Sequence, residues 1–185
     1  MIEVRIHGRG GQGGVTSAEM LAIAAINEGK FAQAFPSFGP ERRGAPVVAF
    51  ARVSDIKIRN RTKVYAPDIV VVLDPSVLSI VNVEEGLKDD GLLVINSHKT
   101  IEELRREYGF KTEMAQVDAT HIAMEELGLP ITNTTMLGAL VKGKEIISLD
   151  SLVAPLEKRF GRIASRNIKA MQRAYQETVV AGKES

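Results

Sequence analysis

Two stretches carry the residue types best suited to holding an anion. The first is Gly8-Arg9-Gly10-Gly11-Gln12-Gly13-Gly14, in which Gly8, Gly10 and Gly13 stand at G-x-G-x-x-G spacing. Glycines permit positive φ and let main-chain N–H groups approach a phosphate, and a helix N-terminus behind them favours negative charge. Arg9 and Gln12 interrupt the glycines and add side-chain donors. The second stretch runs from Pro36 to Pro46 and holds Arg42 and Arg43 between glycines and prolines. It opens a basic segment: from Pro36 to Tyr65 there are seven Lys or Arg residues against Glu41 and Asp55.

The glycine spacing alone suggests a dinucleotide site. Such a site also needs an acid some 20 residues on, at the end of the second strand, to bind the ribose hydroxyls. Here that strand ends Gln33-Ala34-Phe35-Pro36, and Glu28 comes too early. A stand-alone NAD- or FAD-binding oxidoreductase is therefore the weaker reading. A phosphate cradle remains open, as does a tight turn packed on a neighbouring segment or subunit, in which case the chain is a purely structural docking module.

Other chemistries are excluded more firmly. The sequence has no cysteine, hence no disulfide, no thiol nucleophile and no thiolate for an iron–sulfur cluster. His7, His98 and His121 lie far apart and form no metal-ligand pattern. There is neither a G-x-x-x-x-G-K-[ST] loop nor a G-x-S-x-G elbow. The acids Glu84/Glu85, Glu102/Glu103 and Glu125/Glu126 come as adjacent pairs, the pattern of solvated helix faces. A basic stripe of Arg162, Arg166, Lys169 and Arg173 reads the same way. Asp74 follows an apolar strand, at the end where α/β ligand crevices open; capping of the next helix is its simpler role.

The elements that must position these residues alternate. Ile2 to His7 reads as a strand and Thr16 to Glu28 as a helix opened by a Thr16-x-x-Glu19 capping box. Phe31 to Phe35 is a short strand; Val47 to Val53 and Lys57 to Asn60 read as a hairpin around Ser54-Asp55 at a sheet edge. Asp68 to Asp74 has the apolar run of a strand buried on both faces, followed by a helix from about Pro75 and a strand over Gly91 to Ile95. A helix at Ile101–Tyr108 and a strand near Met114 to Val117 come next. Helices over Ala119–Leu127, Thr134–Val141, Leu152–Phe160 and Ala164–Val179 complete the chain. The pattern predicts a three-layer α/β/α, Rossmann-like domain with a largely parallel sheet and an edge hairpin, residues 1–185 forming one domain. No secretory signal and no apolar run of about 20 residues is present, so a cytoplasmic protein without membrane or nucleic-acid partners is expected.

Four segments together are far more specific than the glycines alone. "HGRGGQGGVTSAE" with "FGPERRGAP", "PDIVVVLDPS" and "LPITNTTMLGAL" resembles, in order and over nearly the whole chain, gamma subunits of pyruvate and related 2-oxoacid:ferredoxin oxidoreductases. The resemblance implies a hetero-oligomer with alpha, beta and delta chains that reduces ferredoxin. Thiamine pyrophosphate with Mg and the iron–sulfur clusters would lie on partner chains. This chain would bind no cofactor alone, have no catalytic residue, and support coenzyme A binding and assembly. On that resemblance Gly8, Gly10, Gly11 and Gly13 form a backbone anion cradle and Arg9 and Gln12 add donors. Arg42 and Arg43 either pair with coenzyme A phosphates or dock on the catalytic chains, and Asn133 is a helix N-cap or a ligand contact.

Overall fold

The computed structural model describes residues 1–37 and 44–184. Among them, seven strands form one sheet in the order β2-β3-β1-β4-β5-β6-β7. The strands are β1 (Ile2–Arg9), β2 (Phe31–Pro36), β3 (Pro46–Ser54), β4 (Ile69–Val72), β5 (Leu92–Asn96), β6 (Glu113–Val117) and β7 (Val179–Ala181). β1, β4, β5 and β6 are parallel; on one margin β3 pairs antiparallel with both β1 and β2, and on the other β7 pairs antiparallel with β6. The expected parallel α/β sheet with antiparallel margins is therefore present.

The helices are α1 (Gly14–Asn27), α2 (Ile101–Tyr108), α3 (Ala119–Leu127), α4 (Asn133–Gly143), α5 (Val153–Phe160) and α6 (Ala164–Glu177). The two sheet faces differ. Val4, Ile6, Ile69, Val71, Leu92 and Val94 pack on one side against α1, α3, α4, α5 and α6. On the other side Val70, Val72, Leu93 and Ile95 meet α2 and the short turns after β4. Period-2 alternation puts Glu3, Arg5 and His7 of β1 on that second face, where Phe50 and Arg52 of β3 stand opposite them. Arg52 is fully buried and is neutralised by Glu3 at 2.7 Å, with Thr62 O at 2.7 Å and the Phe35 ring 5.1 Å away.

Where a side-chain N-cap and a C-terminal glycine bracket a helix, sequence and structure agree residue for residue. Thr100 and Glu103 form a capping box on α2, and Asp118 caps α3 through His121 N–H at 2.9 Å. Gly109 and Gly128, both at positive φ, end the two helices. Three expectations need correction. α1 does not start from a Thr16–Glu19 capping box: it starts at Gly14, with Gly13 as an uncapped N-cap at φ 78°. The glycine turn has already set the chain's direction, leaving no role for a hydroxyl cap. Lys57–Asn60 is not a strand, because β3 already has β1 and β2 on its two sides; the antiparallel edge pair is β2–β3. After β4 there is only a 3-10 turn, Pro75–Ser79. β7, three residues long and separated from α6 by Thr178 alone, had no signature in the sequence, and the helix expected over Ala164–Val179 stops at Glu177.

One of the acid pairs, Glu125/Glu126, meets Lys169 and Arg173 of the basic stripe. Arg173 bridges Glu125, Glu126 and Glu177, and Lys169 reaches Glu126 at 2.9 Å. Such exposed pairs contribute about 0–1 kcal/mol each.

Candidate functional site

The C-terminal ends of the parallel strands converge on the glycine loop. Leu73, just past β4, donates its N–H to His7 O at 2.8 Å. Its own carbonyl accepts from Asn96 Nδ2 at 2.8 Å and from Thr132 Oγ1 at 3.2 Å. These bonds tie the ends of β1, β4 and β5 to the start of α4. This is the edge of a parallel sheet at which α/β folds place ligands.

Gln12 holds the loop from within. Its Oε1 accepts the Arg9 N–H at 2.7 Å, and its Nε2 donates to Asp74 Oδ2 at 2.6 Å. Asp74 also accepts from Ser76 N–H through Oδ1 at 2.9 Å, so it caps the following turn and anchors the loop at once. Burial raises the Asp74 pKa, but hydrogen bonds from Ser76 and Gln12 and the charge of Arg9 outweigh it and leave the carboxyl below its ordinary value. Arg9 reaches Asp74 at 3.7 Å, donates to Ser76 Oγ at 2.8 Å and to Gly44 O at 2.9 Å. Both loop side chains are thus engaged in holding the turn.

The two anion-suited loops are joined. Gly10 N–H donates to Ala45 O at 2.9 Å and Gly44 N–H to Gly10 O at 3.3 Å, so the arginine-rich loop returns onto the glycine loop. Arg42 and Arg43 themselves lie outside the described residues.

α4 supplies the third wall. Asn133 is its first helical residue, not its N-cap, which is Thr132. Asn133 is 5% exposed; its amide lies where a Cβ on Gly13 would clash with Nδ2, and its Oδ1 has no partner among the described residues. Gly13 at φ 78° therefore meets both demands that only glycine satisfies, a left-handed backbone and no side chain. Ser17 Oγ lies 3.3 Å from Gly13 O and 3.1 Å from Asn133 O, linking α1 to the head of α4.

What remains unpaired is main chain. Among the described residues, the N–H groups of Gly11, Gly13, Gly14, Val15 and Thr16 have no acceptor. Gly10, Gly11, Gly13, Gly14 and Val15 line a cavity of about 290 Å³ whose far side is Val47, Val48 and Ala49 of β3. A helix N-terminus with free amides facing a cavity is an anion site with a partly apolar wall. Gly8 lies deeper, packed against Leu73 and the Gln12 amide. The glycine, Gln12 and Asn133 positions are thus brought together. Asp74, Ser76, Gly44 and Ala45 complete the network; of these the sequence singled out only Asp74. Among the described residues no cluster of three His, Cys, Asp or Glu could hold a metal, and no helix is long and apolar enough to cross a membrane.

The family profile described as Pyruvate ferredoxin/flavodoxin oxidoreductase matches residues 3–177. The chain belongs to this family. It is a gamma-type subunit: it is 52% identical over 182 residues to the pyruvate/ketoisovalerate oxidoreductases common subunit gamma of Thermococcus kodakarensis, covering 97% of this chain and 98% of that one. It is also 49% identical to pyruvate synthase subunit PorC of Methanothermobacter thermautotrophicus, covering 96% of each chain. The crystal structure of pyruvate oxidoreductase subunit PORC from Thermotoga maritima superposes with a TM-score of 0.87 at 41% identity, covering 97% of this chain and 98% of that one. A 2-oxoglutarate:ferredoxin oxidoreductase from Magnetococcus marinus shares the fold at 19% identity and a TM-score of 0.76, over 98% of this chain and 32% of that one. A gamma-type subunit works inside a multi-subunit 2-oxoacid:ferredoxin oxidoreductase, the activity class the resemblance in the sequence implied.

Proposed function

We propose that this gamma-type subunit holds the phosphates of coenzyme A at the glycine-loop cavity and helps assemble its oxidoreductase from alpha, beta and delta partner chains. The complex turns a 2-oxoacid, coenzyme A and oxidised ferredoxin into acyl-CoA, CO2 and reduced ferredoxin. Relatives at about half identity are named for pyruvate and ketoisovalerate, which supports those 2-oxoacids as substrates. Thiamine pyrophosphate with Mg and the iron–sulfur clusters reside on the partner chains, and the complex works in the cytoplasm. The absence of cysteine supports that division, since this chain offers no thiolate to a cluster.

One observation carries the reading: five main-chain N–H groups between Gly11 and Thr16 have no acceptor among the described residues, beside a cavity at the end of the sheet where Gly44 and Ala45 meet the glycine loop. Backbone amides at a helix N-terminus suit phosphate oxygens without needing a charged side chain. Arg42 and Arg43 are proposed to add the positive charge. The test is steady-state kinetics of the assembled complex with Arg42→Ala and Arg43→Ala combined. A raised KM for coenzyme A, with kcat and subunit composition retained, is expected. Unchanged coenzyme A kinetics with a dissociated complex would assign both arginines to docking.

A further inference from the structure

A second cavity lies away from the glycine loop. It has a volume of about 540 Å³ and runs between the outer strand β2 and the segment after β3. Gln33, Ala34 and Phe35 form its floor; Lys57, Arg59 and Arg61 form its opposite wall. No carboxylate lines it, and none of the three cations makes an ion pair among the described residues. All three are exposed.

β2 is the last strand on this side and pairs only with β3. Alternate main-chain N–H and C=O groups of its six residues, about 20 Å of edge, therefore point outward, with no partner among the described residues. An open edge of this kind either carries a device against pairing or is there to be paired. Lys57, Ile58, Arg59 and Arg61 line the cavity with β2, and no main-chain bond joins this segment to β2 among the described residues. At one end of the edge, Phe31 and Ile56 are 45% and 75% exposed.

We propose that this groove is a strand-docking site: an extended, acid-rich segment of a partner subunit adds to the outer edge of β2 with carboxylates facing Lys57, Arg59 and Arg61. Main-chain bonds to β2 supply affinity, and the period-2 side-chain pattern of an added strand supplies specificity. The charge selects the occupant. A second copy of this chain would bring the same three cations against themselves, which disfavours pairing through this edge. The floor is partly apolar: the Phe35 ring packs at a tilt on Phe50, centroids 5.3 Å apart, and lies under the Arg52 guanidinium. The inference rests on the reading that the chain works within an assembly, and it is independent of coenzyme A.

The test uses the whole complex, co-expressed from all its subunits. With Lys57→Glu, Arg59→Glu and Arg61→Glu combined, retention of this subunit on size-exclusion chromatography with native mass spectrometry should fall about tenfold or more at physiological salt. The substituted side chains are exposed, so the thermal melt of the isolated variant should match that of the unsubstituted chain. In a second arm, Arg59→p-benzoylphenylalanine in the otherwise unaltered complex should photo-cross-link to a partner segment rich in Asp and Glu. That arm decides if the charge-reversed chain fails to fold. Unchanged retention of a folded triple variant, or cross-links confined to this chain or to a segment without acids, overturns the proposal. So does stoichiometric binding of inorganic phosphate at this groove with no cross-link to a partner. The coenzyme A reading fails by a separate readout, the KM of the assembled complex, which this groove should leave unchanged.

Discussion

Replacing Gln12 probes the loop most sharply, because its one side chain holds Arg9, three residues before it, and Asp74, 62 residues after it. Gln12→Ala removes the Arg9 N–H bond and the bond to the Asp74 carboxylate. A neutral hydrogen bond contributes about 1 kcal/mol net and one to a charged group about 1.5–3. The loop is half-exposed, so water can re-solvate part of what is freed, and a loss of about 2 kcal/mol is expected. For a chain of this length that lowers Tm by about 4–8 °C. Gln12→Glu is the informative partner: it keeps the acceptor for Arg9 but sets a second carboxylate against Asp74 Oδ2. At neutral pH it should be less stable than Gln12→Ala, since like charges at hydrogen-bond distance repel. In acid the two carboxyls can share a proton, and the difference should close. The unsubstituted chain behaves oppositely there. Asp74, with its pKa held down, contributes its stabilisation fully above the ordinary carboxylate pKa and loses it as pH falls through the folded value. Urea unfolding of the three proteins between about pH 2 and pH 8 measures this. A Gln12→Ala loss under about 0.5 kcal/mol, or Gln12→Glu equal to Gln12→Ala at every pH, would refute the role given to Gln12.

Gly138 lies in α4 where it crosses α6, and a Cβ there would strike Met171 O and crowd Tyr175 N. Gly138→Ala should therefore cost about 2 kcal/mol, overpacking outweighing the roughly 1 kcal/mol gain in helix propensity; a neutral or stabilising effect in thermal denaturation would contradict the close helix crossing. His7 is buried, its Nε2 lacks a partner among the described residues, and burial, with Arg5 nearby, pushes its pKa down to about 4. Its folded value lies below the unfolded one, so its contribution is present above about pH 6.5 and is lost as pH falls toward 4, by up to roughly 3 kcal/mol. His7→Leu should flatten the pH dependence of Tm in that window, and an unchanged slope would exclude His7 as its source.

The parts of the fold legible in the sequence are those that local chemistry decides. Thr100–Glu103 and Asp118, with Gly109 and Gly128, bracket α2 and α3 because caps act within a few residues. Ile69–Val72 announces itself by burial on both faces. What long-range pairing decides was not legible. Lys57–Asn60 has the alternation of a strand, yet β3 has no free side to offer it. β7 forms because β6 is at hand, not because Val179–Ala181 is distinctive. The same division runs through the candidate site. The glycines, Arg9, Gln12 and Asn133 were visible as residue types. That Gln12 would bond Asp74, that Gly10 would meet Ala45 and that Asn133 would press on Gly13 depend on contacts between residues 35 or more apart in the chain.

The central claim, that the free amides from Gly11 to Thr16 and their cavity hold coenzyme A phosphates, is tested most directly by titration calorimetry of coenzyme A into the assembled complex. Unsubstituted protein and Gly10→Val are compared, with subunit composition checked by native mass spectrometry. Gly10 lines the cavity, so a branched side chain there should weaken coenzyme A binding about tenfold or more, or about 1.4 kcal/mol, while the complex stays intact. An intact Gly10→Val complex that binds coenzyme A with unchanged affinity would contradict the account.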